Sequence, residues 1–120
     1  METIDLGRAG EDAALEYLQE AGMTLLARNW RSGHYELDLV MEWGDTIRIV
    51  EVKSLSGRDG FDPTANMTQT KCRRIVRAAR RFLAENPCGS EVCFDVVAVL
   101  FRDGQPHISY IPSAFLPISM

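Results

Sequence analysis

Apolar residues recur at helical intervals in two stretches of this chain and at alternate or consecutive positions in the segments between them. Residues 6–22 (LGRAGEDAALEYLQEAG) gather Ala14, Tyr17, Leu18 and Ala21 on one arc and turn Asp12, Glu16, Gln19 and Glu20 the other way, which predicts a first helix ending at Gly22. Glu11 falls at the edge of the apolar arc, so it is the acid of this helix expected to face a sheet. Strands are predicted at Met23–Arg28, Tyr35–Trp43 and Thr46–Lys53, an antiparallel start to that sheet. Ser54–Thr68 (SLSGRDGFDPTANMT) has no clear period, and a loop of that length is often a substrate-gripping or mobile element. A second helix is expected over 69–85, stopped at Asn86-Pro87, then a buried strand at Glu91–Phe101 and a short one at His107–Ile111. The order α-β-β-β-α-β-β is that of an α/β protein, read as one domain over residues 1–120 with no internal repeat.

The same periodicity puts charge where an apolar face is expected. Side chains alternate along a strand, so Glu36, Asp38 and Val40 share one face, as do Ile47, Ile49, Glu51 and Lys53 on the next strand. If the hairpin closes through Gly44-Asp45, Trp43 faces Thr46, Asp38 lies opposite Glu51, and Glu36 lies opposite Lys53. Opposed Cβ atoms are about 4.5–5.5 Å apart, and two carboxylates at that separation are destabilising on their own. A divalent cation removes the conflict. Mg²⁺ or Mn²⁺ suits the arrangement, because such ions accept one or two carboxylates and keep waters that can attack. Lys53 would orient that water or neutralise charge on a phosphate in the transition state. The pattern therefore points to a metal-dependent nuclease. The plainer alternative is a solvated Glu-x-Lys pair, against which stands the apolar run Ile47–Val50 that precedes it. Glu11 either completes a metal site or pairs with an arginine. Asp95, inside the buried strand, is either a core acid bonded to an arginine or a helper at the site, and His34 is an exposed loop histidine or a second helper.

Composition narrows the class. With 46% hydrophobic and 25% charged residues over 120 positions, the chain carries an ordinary core. It has no apolar run near membrane-spanning length and opens without the apolar stretch of a signal peptide, so a cytoplasmic protein with no membrane partner is expected. Cys72, Cys88 and Cys93 form no Cys-x-x-Cys and have few histidines to join them, so reduced, partly buried thiols are expected rather than a zinc site. Serine-hydrolase, P-loop and dinucleotide motifs are absent.

A net charge of −4 argues against indiscriminate coating of nucleic acid, yet the cations are clustered. At 100° per residue, Arg73, Arg74, Arg77, Arg80 and Arg81 occupy an arc of about 120°, facing away from Ile75, Val76, Ala78, Ala79, Phe82 and Leu83. Arginines so spaced repel one another, and a phosphate backbone would relieve the repulsion. A solvated face, or ion pairs to the acidic first helix, is the other reading.

Taken together these pieces resemble the YraN-like family of small bacterial proteins, within the restriction-endonuclease-like superfamily that carries the PD-(D/E)xK signature. The matching segments are Gly7-Arg8-x-Gly10-Glu11-x-x-Ala14, Arg28-Asn29-Trp30-Arg31, Glu36-Leu37-Asp38-Leu39-Val40, Val50-Glu51-Val52-Lys53, Phe61-x-Pro63, Lys71, and Phe94-Asp95-Val96-Val97. The resemblance implies a mixed sheet of about five strands flanked by helices, with an active centre at Asp38, Glu51 and Lys53 and an extra acid at Glu11. Asp38 and Glu51, joined by the Val52 carbonyl and Glu11, would hold Mg²⁺. The phosphate backbone would lie along Lys71, Arg73, Arg74, Arg77 and Arg81. The substrate implied is nucleic acid, DNA before RNA and structured or branched before linear, in repair or recombination, with a homodimer and a helicase or ATPase as further partners. The alternative is a non-catalytic adaptor whose nucleic-acid binding needs Arg74 and Arg77 but not Lys53. Two departures from the family pattern bear on the site. Tyr35 stands where glycine is usual, and either crowds the entrance or stacks on a base. Cys93 stands where arginine is usual, and removes a cation that would contact DNA or fix Asp95.

Overall fold

A computed structural model of the protein describes residues 5–56 and 67–117. Helix α1 (Leu6–Glu20) starts where the Asp5 carboxylate accepts the Arg8 N–H at 3.1 Å, and it ends before Gly22, whose φ of 101° only glycine adopts without strain. Strands β1 (Thr24–Ser32), β2 (Tyr35–Trp43) and β3 (Thr46–Ser56) form an antiparallel meander. Helix α2 (Gln69–Glu85), capped by Thr68 Oγ1 on the Lys71 N–H at 3.2 Å, leads to β4 (Glu91–Arg102) and β5 (Gln105–Phe115). The strands lie in chain order, β1-β2-β3-β4-β5, and all neighbours are antiparallel except β3 and β4. A parallel pair needs a long crossover, and α2 lies within it.

The two helices cover opposite faces. On one, Ala14 and Leu18 of α1 pack on Leu39, Met41, Val50, Val97 and Val99; on the other, Ile75, Val76, Ala79 and Phe82 of α2 pack on Val40, Ile47, Ile49 and Phe94. The predicted alternation in β3 is thus realised, with Ile47 and Ile49 towards α2 and Val50 towards α1. At Leu37 the alternation breaks, since this residue joins the α2 core although Leu39 faces α1. On α1 the buried stripe is Gly10, Ala14 and Leu18; Tyr17 is 39% exposed, its ring edge-on to Tyr110 with centroids 6.2 Å apart, and Ala21 is exposed.

Three strands run longer than the apolar pattern suggested. β1 continues through the polar stretch Arg28–Ser32, past a bulge between Leu25 and Ala27 and past Asn29 at φ 51°, and this carries Trp30 to an edge contact with Phe82 at 5.5 Å. β3 takes in Ser54–Ser56 from the expected loop; residues 57–66 of that loop, with Phe61 and Pro63, lie outside the described residues. β5 pairs back to Arg102 through Asp103-Gly104, both at positive φ as a tight hairpin turn of that type requires. Cys72 is buried and Cys93 partly so, whereas Cys88 is exposed; all three are free.

Asp95 proves to be a core acid. It is fully buried, and its carboxylate accepts from Arg48 Nε at 2.8 Å and the second guanidinium nitrogen at 3.0 Å, from the Tyr110 hydroxyl at 2.6 Å and from the Ser113 N–H at 2.9 Å. Burial would lower the Arg48 pKa, but the Asp95 bond outweighs it and holds the group above its ordinary range; burial and the same carboxylate push Tyr110 up. Arg48 faces Cys93 across the β3–β4 register, and it is this arginine that fixes Asp95.

Two outcomes follow from these contacts. Asp95→Ala strands a buried guanidinium and should cost about 3–5 kcal/mol in urea unfolding, while the double change Arg48→Met, Asp95→Leu should cost clearly less. A Cβ at Gly10 would lie 1.7 Å from Ser54 Oγ and 2.8 Å from Ser54 Cβ. Gly10→Ala should therefore destabilise the fold despite a helix-propensity gain of about 1 kcal/mol, and should do so less in a Ser54→Gly background when the two changes are compared by thermal melting.

Candidate functional site: a cleft where two strands part

The β2–β3 ladder has the expected register from Trp43–Thr46 to Leu39–Val50, and it stops one pair short of Asp38 and Glu51. In a hairpin closed by Gly44 (φ 58°) and Asp45, the N–H groups of Thr46, Arg48, Val50 and Val52 point towards β2. Continued pairing would give the Val52 N–H to the β2 backbone. Instead the Asp38 carboxylate takes it, through Oδ2 at 2.9 Å. The strands splay around that side chain, and the expected Glu36–Lys53 pairing does not form; Glu36 pairs with Arg31 of β1, ion to ion, at 3.1 Å.

Asp38 and Glu51 nevertheless meet, on the α2 side of the sheet. Burial, the hydrogen bond shared with Asp38, and the Asp38 charge push the Glu51 carboxyl up to about 8. Lys71, from the first turn of α2, approaches the same group, Nζ to Oε2 at 3.9 Å. Lys53, two residues beyond Glu51 on the same strand face, is lowered from its ordinary value by burial first and by the neighbouring Lys71 ammonium second. An open cleft of about 440 Å³ is lined by Asp38, Glu51, Lys71 and Arg74, with Thr68 and Thr70 at the helix start and His34, Tyr35 and Glu36 at the β1–β2 turn.

Not every expected residue converges here. Glu11 sits across the sheet on α1, ion-paired to Arg28 at 3.5 Å, in a separate cleft with Asp5, Arg8 and Arg31. Among the described residues no group of three or more His, Cys, Asp and Glu side chains is placed to hold a metal ion. The oxygen donors gathered at the splay are two carboxylates, and the Val52 carbonyl points to the same side as its N–H. That set fits Mg²⁺ or Mn²⁺, which take one or two carboxylates and complete their shells with water.

The basic helix is amphipathic as expected. Cys72, Ile75, Val76, Ala78, Ala79 and Phe82 are buried, and Arg73, Arg74, Arg77, Arg80 and Arg81 are exposed. The acids of α1 lie on the other face of the sheet. Arg81 stacks on the Tyr35 ring at 4.7 Å and donates to Ser32 Oγ at 3.3 Å, so the aromatic ring at the cleft wall already carries a cation. Sequence reasoning put Lys71 on the nucleic-acid face and missed its approach to Glu51, and it missed Thr68 and Thr70 altogether. The available signal was that Thr68 caps the helix, which puts the next turn over whatever α2 begins above.

A folded pKa of about 8 against an ordinary 4.5 means that the Glu51 proton stabilises the fold fully below about 4.5, and that this stabilisation is lost as pH rises through 8. In metal-free buffer the urea midpoint should fall between pH 5 and pH 8, and Glu51→Gln should flatten that decline.

Comparison with known proteins agrees with the span of these elements. Residues 10–99 match the family described as "Uncharacterised protein family UPF0102", a stretch that runs from α1 into β4 and includes both sides of the cleft. A UPF0102 protein of Bacteroides fragilis is 40% identical over 112 residues, 93% of this chain and 93% of its own length. Similar proteins from Nitratidesulfovibrio vulgaris (42% over 110 residues, 91% of this chain and 82% of the relative) and Rhodococcus opacus (44% over 114 residues, 93% and 97%) carry the same family name.

Proposed function

The chain belongs to the UPF0102 family, and from the cleft between its splayed strands we propose a metal-dependent endonuclease that hydrolyses phosphodiester bonds in nucleic acid, with structured or branched DNA the favoured substrate. The observation that carries this reading is the meeting of Asp38 and Glu51 where β2 leaves β3, with Lys53 and Lys71 beside them. Two acids, a lysine two residues on, and a sheet in the order α-β-β-β-α-β-β also support a restriction-endonuclease-like core with the PD-(D/E)xK signature.

Each residue has a role in this reading. Asp38 and Glu51, with the Val52 carbonyl, would hold Mg²⁺ or Mn²⁺, and Asp38 is kept in place by the Val52 N–H. A bound divalent cation supplies charge neutralisation at the phosphate and a more acidic water. Lys53 donates to the attacking water or to the phosphate oxygens as charge develops there. Arg73, Arg74 and Arg77, exposed along α2 on the side where it begins over the cleft, hold the backbone of the substrate without reading bases. Glu11 contributes by fixing Arg28 rather than from inside the cleft. A cytoplasmic protein is the corresponding location; among the described residues no helix is long and apolar enough to cross a membrane.

Labelled linear, flapped, four-way and single-stranded DNA, and RNA, incubated with Mg²⁺ or Mn²⁺, test the proposal. Wild type should cut at least one of these roughly 10²-fold faster than Asp38→Ala or Lys53→Ala. Calorimetric Mn²⁺ binding should vanish in the double variant Asp38→Ala, Glu51→Ala, and equal binding by both proteins would remove the basis of the reading. Absence of cleavage, with binding that Arg74→Ala and Arg77→Ala abolish, would favour the adaptor instead.

A further inference from the structure

Of the thirteen cations in this chain only two are lysines, Lys53 and Lys71, and the fold brings both beside Glu51, Lys71 with its ammonium 3.9 Å from the carboxyl and Lys53 two residues on along the same strand face. They come from different elements, the second half of β3 and the first turn of α2. Lys71 lies near enough to Lys53 for its charge to act on it, and 3.9 Å from the Glu51 carboxyl. Elsewhere the chain uses arginine, including every cation on the exposed face of α2 beyond Lys71.

Two ammonium groups held beside a single carboxyl repel each other. An anion seated between them removes the repulsion, and its size is limited by the compact, three-donor lysine head rather than by the wide guanidinium fork. The adjoining cleft is open to solvent, and Lys71, Thr68 and Thr70 line it. We propose that Lys53 and Lys71 form a two-pronged seat for one phosphate group, and that Lys71 is thereby a second catalytic lysine, touching the phosphate that is cut. The identity of the occupant as a phosphodiester rests on the nuclease reading; the existence of the seat does not.

Having two lysines makes the test direct, because the ¹Hε–¹³Cε correlation spectrum of the labelled protein contains two lysine signals, assigned with Lys53→Arg and Lys71→Arg. Inorganic phosphate, titrated at constant ionic strength, should move both signals with one shared saturation curve, and Lys71→Met should weaken the response of Lys53 at least fivefold. An uncleaved twelve-nucleotide single-stranded DNA in EDTA should move both in the same sense if the seat takes a backbone phosphate. Where phosphate acts and DNA does not, the seat stands but its occupant is a phosphate monoester, and the nuclease reading fails. In single-turnover cleavage at saturating substrate, Lys71→Met should slow the reaction by roughly 10²-fold, while the anisotropy-measured DNA affinity changes less than threefold. Unlinked or non-saturating lysine shifts, or a Lys71→Met protein that cuts at the wild-type rate, would overturn the seat and leave the Asp38–Glu51 reading intact.

Discussion

β3 is antiparallel to one neighbour and parallel to the other, and most of the architecture answers to that double demand. An antiparallel partner is reached by a two-residue turn, but a parallel one requires the chain to travel the length of the strand and return. The return contains α2, which must cover the sheet face left open by α1 and must begin beyond the end of β3. Glu51 and Lys53 lie in the half of β3 nearer that end. The start of α2, fixed by the Thr68 cap, is therefore delivered over the acids, where its Lys71 meets Glu51.

Much of this was legible in the chain. β2 and α2 have the predicted bounds, and the hairpin register follows the two-residue turn at Gly44-Asp45, since a one-residue slip would have exchanged the α1-facing and α2-facing residues of β3. The hairpin register did not reveal that pairing would stop at Leu39–Val50, because a carboxylate that replaces a ladder acceptor leaves no periodic trace. β1 was read short for a related reason: a bulge and a left-handed asparagine break the alternation on which strand reading depends. In β5 the signal was present, as Asp103-Gly104 is a strong hairpin dipeptide, but the polar residues beside it concealed how far the pairing extends. Glu11 illustrates the limit of wheel arithmetic, which gives a direction around a helix but not the partner waiting there.

Two charged clusters in this molecule obey opposite rules. At Arg48–Asp95 the acid's lone pairs meet a fork, a hydroxyl and an amide, and no buried side-chain nitrogen or oxygen among the described residues lacks a partner. The cluster fixes β3, β4 and β5 to one another. At Asp38–Glu51 two carboxyls share a proton's hydrogen bond beside an open cleft, and losing that proton costs stability in the isolated chain; carboxyls so perturbed are characteristic of places where something binds. A polar group in the first cluster is explained by what it holds together, and one in the second by what it leaves unsatisfied.

The contact of Gly10 with Ser54 has a mechanical side. A sheet is a single layer, so a strand end gripped from one face is positioned on both. Where α1 passes Ser54 with no room for a methyl group, it sets the height of the residue next to Lys53 as a bearing sets a shaft. The alignment of the cleft is thus governed partly from behind, by a helix that contributes no side chain to it, and the tolerance of that alignment is the width of a single missing carbon.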